Sequence, residues 1–121
     1  MDYTHWEFHG TEPIYKQLYQ RLLVGILSSQ LQPGEYIPSI RVMANTLHIN
    51  ANTVARAYKL LCRNGLLETI GGKSRITDAC FIQERRGQEA HGLCRNFLHT
   101  MTALGFTIEE AIAFVQEYTK K

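Results

Sequence analysis

Residues 39–64 constrain the fold most strongly, because they contain two helical patterns separated by the turn Leu47–Asn50. Ser39 and Asn50 are favourable helix N-caps, and Gly65 lies where a helix would end in the left-handed conformation. At about 100° per residue, the second helix has an apolar face opposite a polar, cationic face. The apolar face consists of Val54, Ala57, Tyr58 and Leu61, and the polar face of Asn52, Arg56, Lys59 and Arg63. This pattern predicts a helix-turn-helix.

The charge distribution indicates a polyanionic partner for this segment. Residues 36–76 contain six basic residues and one acidic residue, a net charge of +5, whereas the rest of the chain has seven basic and ten acidic residues, a net charge of −3. A helix roughly 22 Å long, at about 1.5 Å per residue, fits the DNA major groove. Asn52 and Arg56 are of the residue types that read base edges there.

A predicted hairpin follows the second helix. Residues 66–70 are typical of a strand, Gly71-Gly72-Lys73-Ser74 of a tight turn, and residues 75–77 of a return strand. A two-stranded ribbon with a basic tip directly after a helix-turn-helix is interpreted as a wing, which contacts the minor groove or phosphates.

The segments before residue 39 are predicted to support this unit. Residues 1–12 form an arm in which Trp6 and Phe8 alternate as in a short strand and pack on the protein. Pro13 opens an amphipathic helix capped by Thr11 and ending near Leu31. In the helix that begins after Ser39, four apolar residues are expected to face inward: Ile40, Met43, Ala44 and Leu47.

Residues 78–121 are predicted to form a dimerisation segment of two helices. The first ends at Gly105, and Thr107 to Glu110 form a capping box that opens the second. Each helix has one apolar stripe, and such stripes are most readily covered by the same helices of a second chain. The interface is predicted at Phe81, Leu93, Phe97, Met101, Leu104, Ile112 and Val115.

The predicted fold class is therefore mainly α with a small β-hairpin: an arm (1–12), a winged helix-turn-helix (13–77) and a two-helix dimerisation segment (78–121). The chain has no apolar run of membrane-spanning length and no secretory signal pattern, and its three cysteines show no paired spacing. A cytoplasmic location is expected. No catalytic motif is found, and no cofactor or metal is expected, since His91 and Cys94 provide only two ligands. A protein-interaction module without sequence-specific DNA binding is the alternative.

The chain resembles the GntR family of bacterial transcription regulators, in particular its small YtrA-like branch. The resemblance runs through Pro13-Ile-Tyr-Lys-Gln-Leu18, Leu31-Gln-Pro-Gly34, Ile37-Pro-Ser-Ile-Arg41, Asn50-Ala-Asn-Thr-Val-Ala-Arg-Ala-Tyr58 and Gly65-Leu-Leu-Glu-Thr69. In the wing this chain departs from the common Gly-x-Gly-Thr, because Ser74 stands in place of the second glycine. The resemblance implies a homodimeric winged-helix repressor on a palindromic operator, often of a neighbouring membrane transporter.

The DNA contacts that we predict combine this resemblance with the helical pattern. Arg56 and Asn52 would read base edges, while cations and helix N-termini would hold phosphates. The full predicted set is Ser39, Arg41, Asn50, Asn52, Thr53, Arg56, Lys59, Gly72, Lys73 and Ser74. Double-stranded DNA and a second copy of the chain are the partners expected, and no membrane.

Overall fold

The computed structural model describes residues 2–120, so Met1 and Lys121, the ends of the predicted arm and dimerisation segment, lie outside the described residues. Residues 2–120 form five helices and one hairpin in the order α1 (Ile14–Leu27), α2 (Ile40–Leu47), α3 (Ala51–Arg63), β1 (Leu67–Ile70), β2 (Lys73–Ile76), α4 (Ala79–Ala103) and α5 (Ile108–Thr119). This architecture confirms the predicted fold class, mainly α with a small β-hairpin. The chain forms two compact units, which meet between residues 85 and 86 within α4.

The core of the first unit lies between α1, α2, α3 and the base of the hairpin. The apolar stripe of α1 and the inward face of α3 supply most of it, and the largest completely enclosed side chains are Leu18, Leu22, Ile26, Leu31, Met43, Val54, Leu61, Leu66 and Ile76. Burying a residue of this size contributes roughly 1.5–3 kcal/mol. The same burial fixes the rotation of α3, so its polar face points to solvent.

The turn between α2 and α3 is held by backbone and side-chain hydrogen bonds. Ser39 Oγ accepts a hydrogen bond from Val42 N at 3.2 Å, and Asn50 Oδ1 accepts one from Asn52 N at 2.7 Å, so both predicted N-caps are confirmed. His48 ends α2 in the left-handed conformation, with φ 56°. This rigid turn fixes how α3 projects from the domain.

The hairpin differs in its boundaries from the predicted one. Its turn contains only Gly71 and Gly72, whose φ values of 57° and 79° are typical of a two-residue hairpin turn. Lys73 and Ser74, predicted in the turn, belong instead to β2, where they pair with Ile70 and Thr69. The backbone of residues 34–37 bonds to the other edge of β2, through Ile37 N to Ser74 O at 3.0 Å and Ile76 N to Glu35 O at 2.9 Å.

Other local predictions were wrong for identifiable reasons. Trp6 and Phe8 do pack against the core, but they lie in irregular backbone rather than in a strand. Thr11 does not cap α1, because Pro13 itself occupies the N-cap position, and α1 ends at Leu27, since Ser29 adopts a left-handed φ of 66°.

Ile40 is also misassigned. It is exposed, because it is the first residue of α2 and lies at the surface end of the helix, whereas the other three residues of its predicted stripe are buried.

The second unit consists of the rest of α4 and α5. Gly105 lies in the turn after α4 and has a left-handed φ of 96°. The predicted capping box at the start of α5 is present, with Glu110 N donating to Thr107 Oγ1 at 3.1 Å and Thr107 N to Glu110 Oε1 at 3.0 Å. Phe106 and Phe114 pack edge to face, 5.2 Å apart. None of the helices within residues 2–120 combines the length and apolarity needed to cross a lipid bilayer.

Candidate nucleic-acid interface

The outward face of α3 presents a row of polar and cationic side chains. Asn52, Arg56, Lys59 and Arg63 are all exposed, whereas Val54, Ala57, Tyr58 and Leu61 on the opposite face are buried. The predicted division of this helix into two faces is therefore confirmed. Thr53, at the margin between them, is half-buried.

Tyr58 anchors α3 to the segment that precedes α2. Its hydroxyl donates a hydrogen bond to the carbonyl of Pro38 at 2.8 Å. Burial, with a smaller contribution from nearby Tyr3, raises the pKa of Tyr58, so the hydroxyl remains a donor at physiological pH. The contact ties α3 to the residues that lead into Ser39, where the first backbone N–H groups of α2 begin.

The free cations of the first unit are concentrated on these elements. Arg75 forms an ion pair with Glu68 across the hairpin, with Nη2 2.7 Å and Nε 3.1 Å from Glu68 Oε1, so these two charges cancel. The net +5 of residues 36–76 is then carried by five basic side chains that have no acidic partner among the described residues: Arg41, Arg56, Lys59, Arg63 and Lys73. All five are exposed.

Two surface clefts flank the guanidinium of Arg56, whose Cζ lies 3.9 Å from the centroid of the Tyr15 ring. One, of about 310 Å³, is lined by Tyr15, Arg56, Lys59, Leu60 and Arg63. The other, of about 260 Å³, is lined by Pro13, Ile14, Tyr15, Asn52, Thr53 and Arg56. The start of α1 therefore forms one wall of the polar face of α3, a contribution that no local pattern around Tyr15 indicated.

The remaining predicted contact residues lie at the N-termini of α2 and α3 and in the wing. Ser39 and Asn50 are exposed, but their side-chain oxygens are used as N-caps of α2 and α3. Gly72 lies in the exposed hairpin turn, and Lys73 beside it has its Nζ 6.0 Å from the ring centroid of Tyr36. Ser74 is half-buried in β2, so it lies behind the tip rather than on it.

The glycine substitution in the wing causes no backbone strain. The resemblance predicts a glycine at the position of Ser74, but the two left-handed positions of this hairpin are Gly71 and Gly72. Since a serine in a strand needs no positive φ, the tip can adopt its tight turn with the residues that this chain has.

The residues predicted for the interface between two copies are largely exposed in the single chain. Leu93 on α4 and Leu104 just after its end have 69% and 68% of their surface exposed. Phe97, Ile112 and Val115 are also exposed, and Met101 is half-buried. Phe81, exposed as well, belongs to the first unit rather than to the second.

Metal binding would require His, Cys, Asp or Glu side chains of the described residues to lie together in the arrangement that a metal ion needs. Within residues 2–120, no group of three or more His, Cys, Asp or Glu side chains is arranged to hold a metal ion. The three cysteines are unpaired; Cys62 packs against the core, while Cys80 and Cys94 are exposed.

Comparison with known proteins agrees with the winged helix-turn-helix. Residues 14–75 match the model of a family described as bacterial regulatory proteins, gntR family. The HTH-type transcriptional regulator YhcF of Bacillus subtilis is 28% identical over 94% of this chain and 96% of its own length. The HTH-type transcriptional repressor YtrA of the same organism is 41% identical over 53% of this chain and 49% of its own.

Solved structures give the same result over a longer stretch. A GntR family transcriptional regulator from Listeria monocytogenes superposes with a TM-score of 0.82 at 30% identity, covering 91% of this chain and 98% of that one. The similarity therefore extends beyond the winged helix-turn-helix into the C-terminal helices.

Proposed function

This chain belongs to the gntR family of bacterial regulatory proteins, and on that premise we propose that it represses transcription in the cytoplasm as a homodimer bound to a palindromic operator. The observation that carries the proposal is the outward face of α3, where Asn52, Arg56 and Lys59 are exposed on a helix whose other face is held in the core. Its width and residue types suit the major groove.

The exposed groups divide by their chemistry into two roles. Asn52 and Arg56 carry the amide and guanidinium groups that make paired hydrogen bonds to adenine and guanine edges, so they read the sequence. Arg41, Lys59 and Lys73 act on phosphates, where charge rather than shape decides the contact. Phosphate contacts set the register of the domain on DNA, and the base contacts then select the site.

Uncharged residues complete the phosphate contacts. The backbone N–H groups at the start of α2, next to Ser39, favour an anion because helix N-termini carry partial positive charge. Thr53 contributes a hydroxyl beside Asn52. Asn50, Gly72 and Ser74 act mainly by shaping these elements, since Asn50 caps α3, Gly72 forms the hairpin turn and Ser74 lies in β2.

The C-terminal helices are the proposed dimer interface. Leucines as exposed as Leu93 and Leu104 are unfavourable in water, and each would contribute roughly 1.5–3 kcal/mol if a second copy buried it. A two-fold axis through this interface would present two α3 helices to half-sites one turn of DNA apart, which is why the operator is expected to be palindromic.

Selection of duplexes from a random library by the full chain tests this function directly. We expect enrichment of an inverted repeat whose half-sites are about 10–10.5 base pairs apart, centre to centre. Enrichment of a single asymmetric site would contradict the dimer on a palindrome. Recovery of no sequence, with binding of all duplexes at equal affinity or of none, would favour a protein-interaction module instead.

Light scattering and a promoter footprint test the other parts of the proposal. Light scattering should give twice the 13.9 kDa of one chain, and a mass of 13.9 kDa would contradict the homodimer. The proposed target, by resemblance to the YtrA-like branch, is an operon that encodes a membrane transporter. A footprint on the chain's own and neighbouring promoters should protect the selected repeat, and added protein should lower transcription in vitro.

A further inference from the structure

Tyr15, at the start of α1, lies directly against the guanidinium of Arg56. The distance from Arg56 Cζ to the centroid of the Tyr15 ring is 3.9 Å, well inside the range of a cation–π contact. Tyr15 is half-buried and packs against the hydrophobic core, whereas Arg56 is exposed. A ring held by the core thus supports a side chain that extends into solvent.

With Cζ only 3.9 Å from the ring centroid there is no room for a guanidinium nitrogen between them, so the contact uses the flat face of the guanidinium. The five N–H donors of arginine lie in the guanidinium plane and point outward from its edge. The side chain of Arg56 has no hydrogen bond or ion pair to any other residue within 2–120, so its guanidinium donors are not used by the protein. The stacked arginine can therefore donate two parallel hydrogen bonds to a base edge without leaving the tyrosine.

The ring also restricts the directions that Arg56 can take. An unsupported arginine on a helix surface samples many rotamers, and ordering it on DNA costs conformational entropy. Against Tyr15 much of this ordering has taken place before DNA arrives. Arg56 is exposed and lines one cleft with Asn52 and Thr53 and another with Lys59 and Arg63, so a base can approach it from solvent.

We propose that Tyr15 is a positioning residue for sequence recognition: it holds the Arg56 guanidinium in the orientation in which it reads the operator. The inference rests on the proposed function, because it assigns a role within the same DNA-reading surface. It predicts that affinity for the operator depends on the aromatic ring of Tyr15 and not on its hydroxyl, and only while Arg56 is present.

The contact itself can be measured without DNA. In the full-length ¹⁵N-labelled chain, the Nε–Hε resonance of Arg56 is assigned by its loss in Arg56→Lys. The ring current of Tyr15 should displace this resonance in the wild type and in Tyr15→Phe, and the displacement should be lost in Tyr15→Leu. Tyr19→Leu is the matched control, because Tyr19 is also a half-buried tyrosine of α1, and its hydroxyl bonds to Asn64 rather than lying near Arg56. An Arg56 resonance unchanged by Tyr15→Leu would overturn the inference.

The effect on recognition is measured with the selected operator and a scrambled duplex. Tyr15→Leu should weaken operator binding about three- to tenfold for each Arg56 side chain that must be ordered, hence roughly ten- to a hundredfold for a dimer, and should weaken scrambled binding much less. Tyr15→Phe and Tyr19→Leu should bind like the wild type. If Tyr15→Leu fails to fold, as judged by thermal melting, Tyr15→Met gives the same comparison with another flexible apolar side chain.

A double-mutant cycle separates positioning from direct contact. In an Arg56→Ala background, Tyr15→Leu should cause no further loss of operator affinity, because there is no guanidinium left to orient. An equal loss in both backgrounds would mean that Tyr15 touches DNA itself, and would overturn the positioning role. If the wild-type chain binds operator and scrambled duplexes with equal affinity, the proposed function is overturned. If the wild type prefers the operator and Tyr15→Leu prefers it to the same degree, only this inference is overturned.

Discussion

Arg56→Ala removes the side chain on which sequence reading is proposed to depend. The stability cost should be small, because Arg56 is exposed and its only described interaction is the stack on Tyr15. A cation–π contact at an exposed site contributes about 0.5–1 kcal/mol, so the melting temperature should fall by only a few degrees. The fold and the remaining four free cations should stay in place.

The cost to recognition should be larger. A bidentate contact between arginine and a base contributes about 1–3 kcal/mol of discrimination. Two copies of α3 on one operator double this, to about 2–6 kcal/mol, which is a roughly 30- to 20,000-fold loss of operator affinity. The loss should be concentrated at one base pair in each half-site, where the variant should tolerate any base.

Fluorescence anisotropy with operator and scrambled duplexes at two salt concentrations measures both quantities. Arg56→Ala should bind scrambled DNA only slightly less well than the wild type, because one charge per chain is lost. Equal losses on the two duplexes would refute the reading role of Arg56 and leave it as one more phosphate contact. Retained discrimination at every operator base pair would refute it equally.

Three other perturbations test separate parts of the molecule. Lys73→Ala, at the wing tip, should weaken binding to operator and scrambled duplexes alike and reduce the slope of log affinity against log salt by about 1 per chain. An unchanged slope would show that Lys73 does not contact DNA. Leu93→Glu should give monomers by light scattering with little change in secondary structure, whereas His91→Glu, about 160° around α4, should remain dimeric; a dimeric Leu93→Glu would contradict the interface. Because burial raises the pKa of Tyr58, its contribution to stability is complete below the ordinary tyrosine pKa of about 10 and is lost as the pH rises further. The free energy of unfolding from urea titrations should therefore fall less steeply above that pH in Tyr58→Phe than in the wild type, and parallel curves would contradict this assignment.

Periodic and capped segments could be predicted because their information is local. The apolar spacing of α3 determines which side is buried, and the caps at Ser39, Asn50 and Thr107 are chosen by the residue itself and its next three neighbours. The charge of residues 36–76 follows from counting. The helix-turn-helix and the hairpin were accordingly predictable from the residues alone, and the polyanionic partner stays a prediction that rests on the charge.

The predictions were wrong where the conformation or pairing of the backbone, rather than the residue pattern, sets the end of a helix or strand. α1 stops at Leu27 because Ser29 turns left-handed and the chain bends back, although the apolar pattern continues to Leu31. In the hairpin, Lys73 and Ser74 have turn-like neighbours, but pairing with β1 and with residues 34–37 extends β2 to include them.

The sequence by itself determined that this chain has a helix with one apolar and one cationic face, since both properties repeat with the helical period. Only the tertiary structure decided which cations remain free and how they are held. Glu68 neutralises Arg75 because the hairpin register places them opposite each other, and Tyr15 supports Arg56 across 41 positions of sequence because α1 packs against α3. Such contacts depend on packing between elements, which the order of residues along any one helix does not contain.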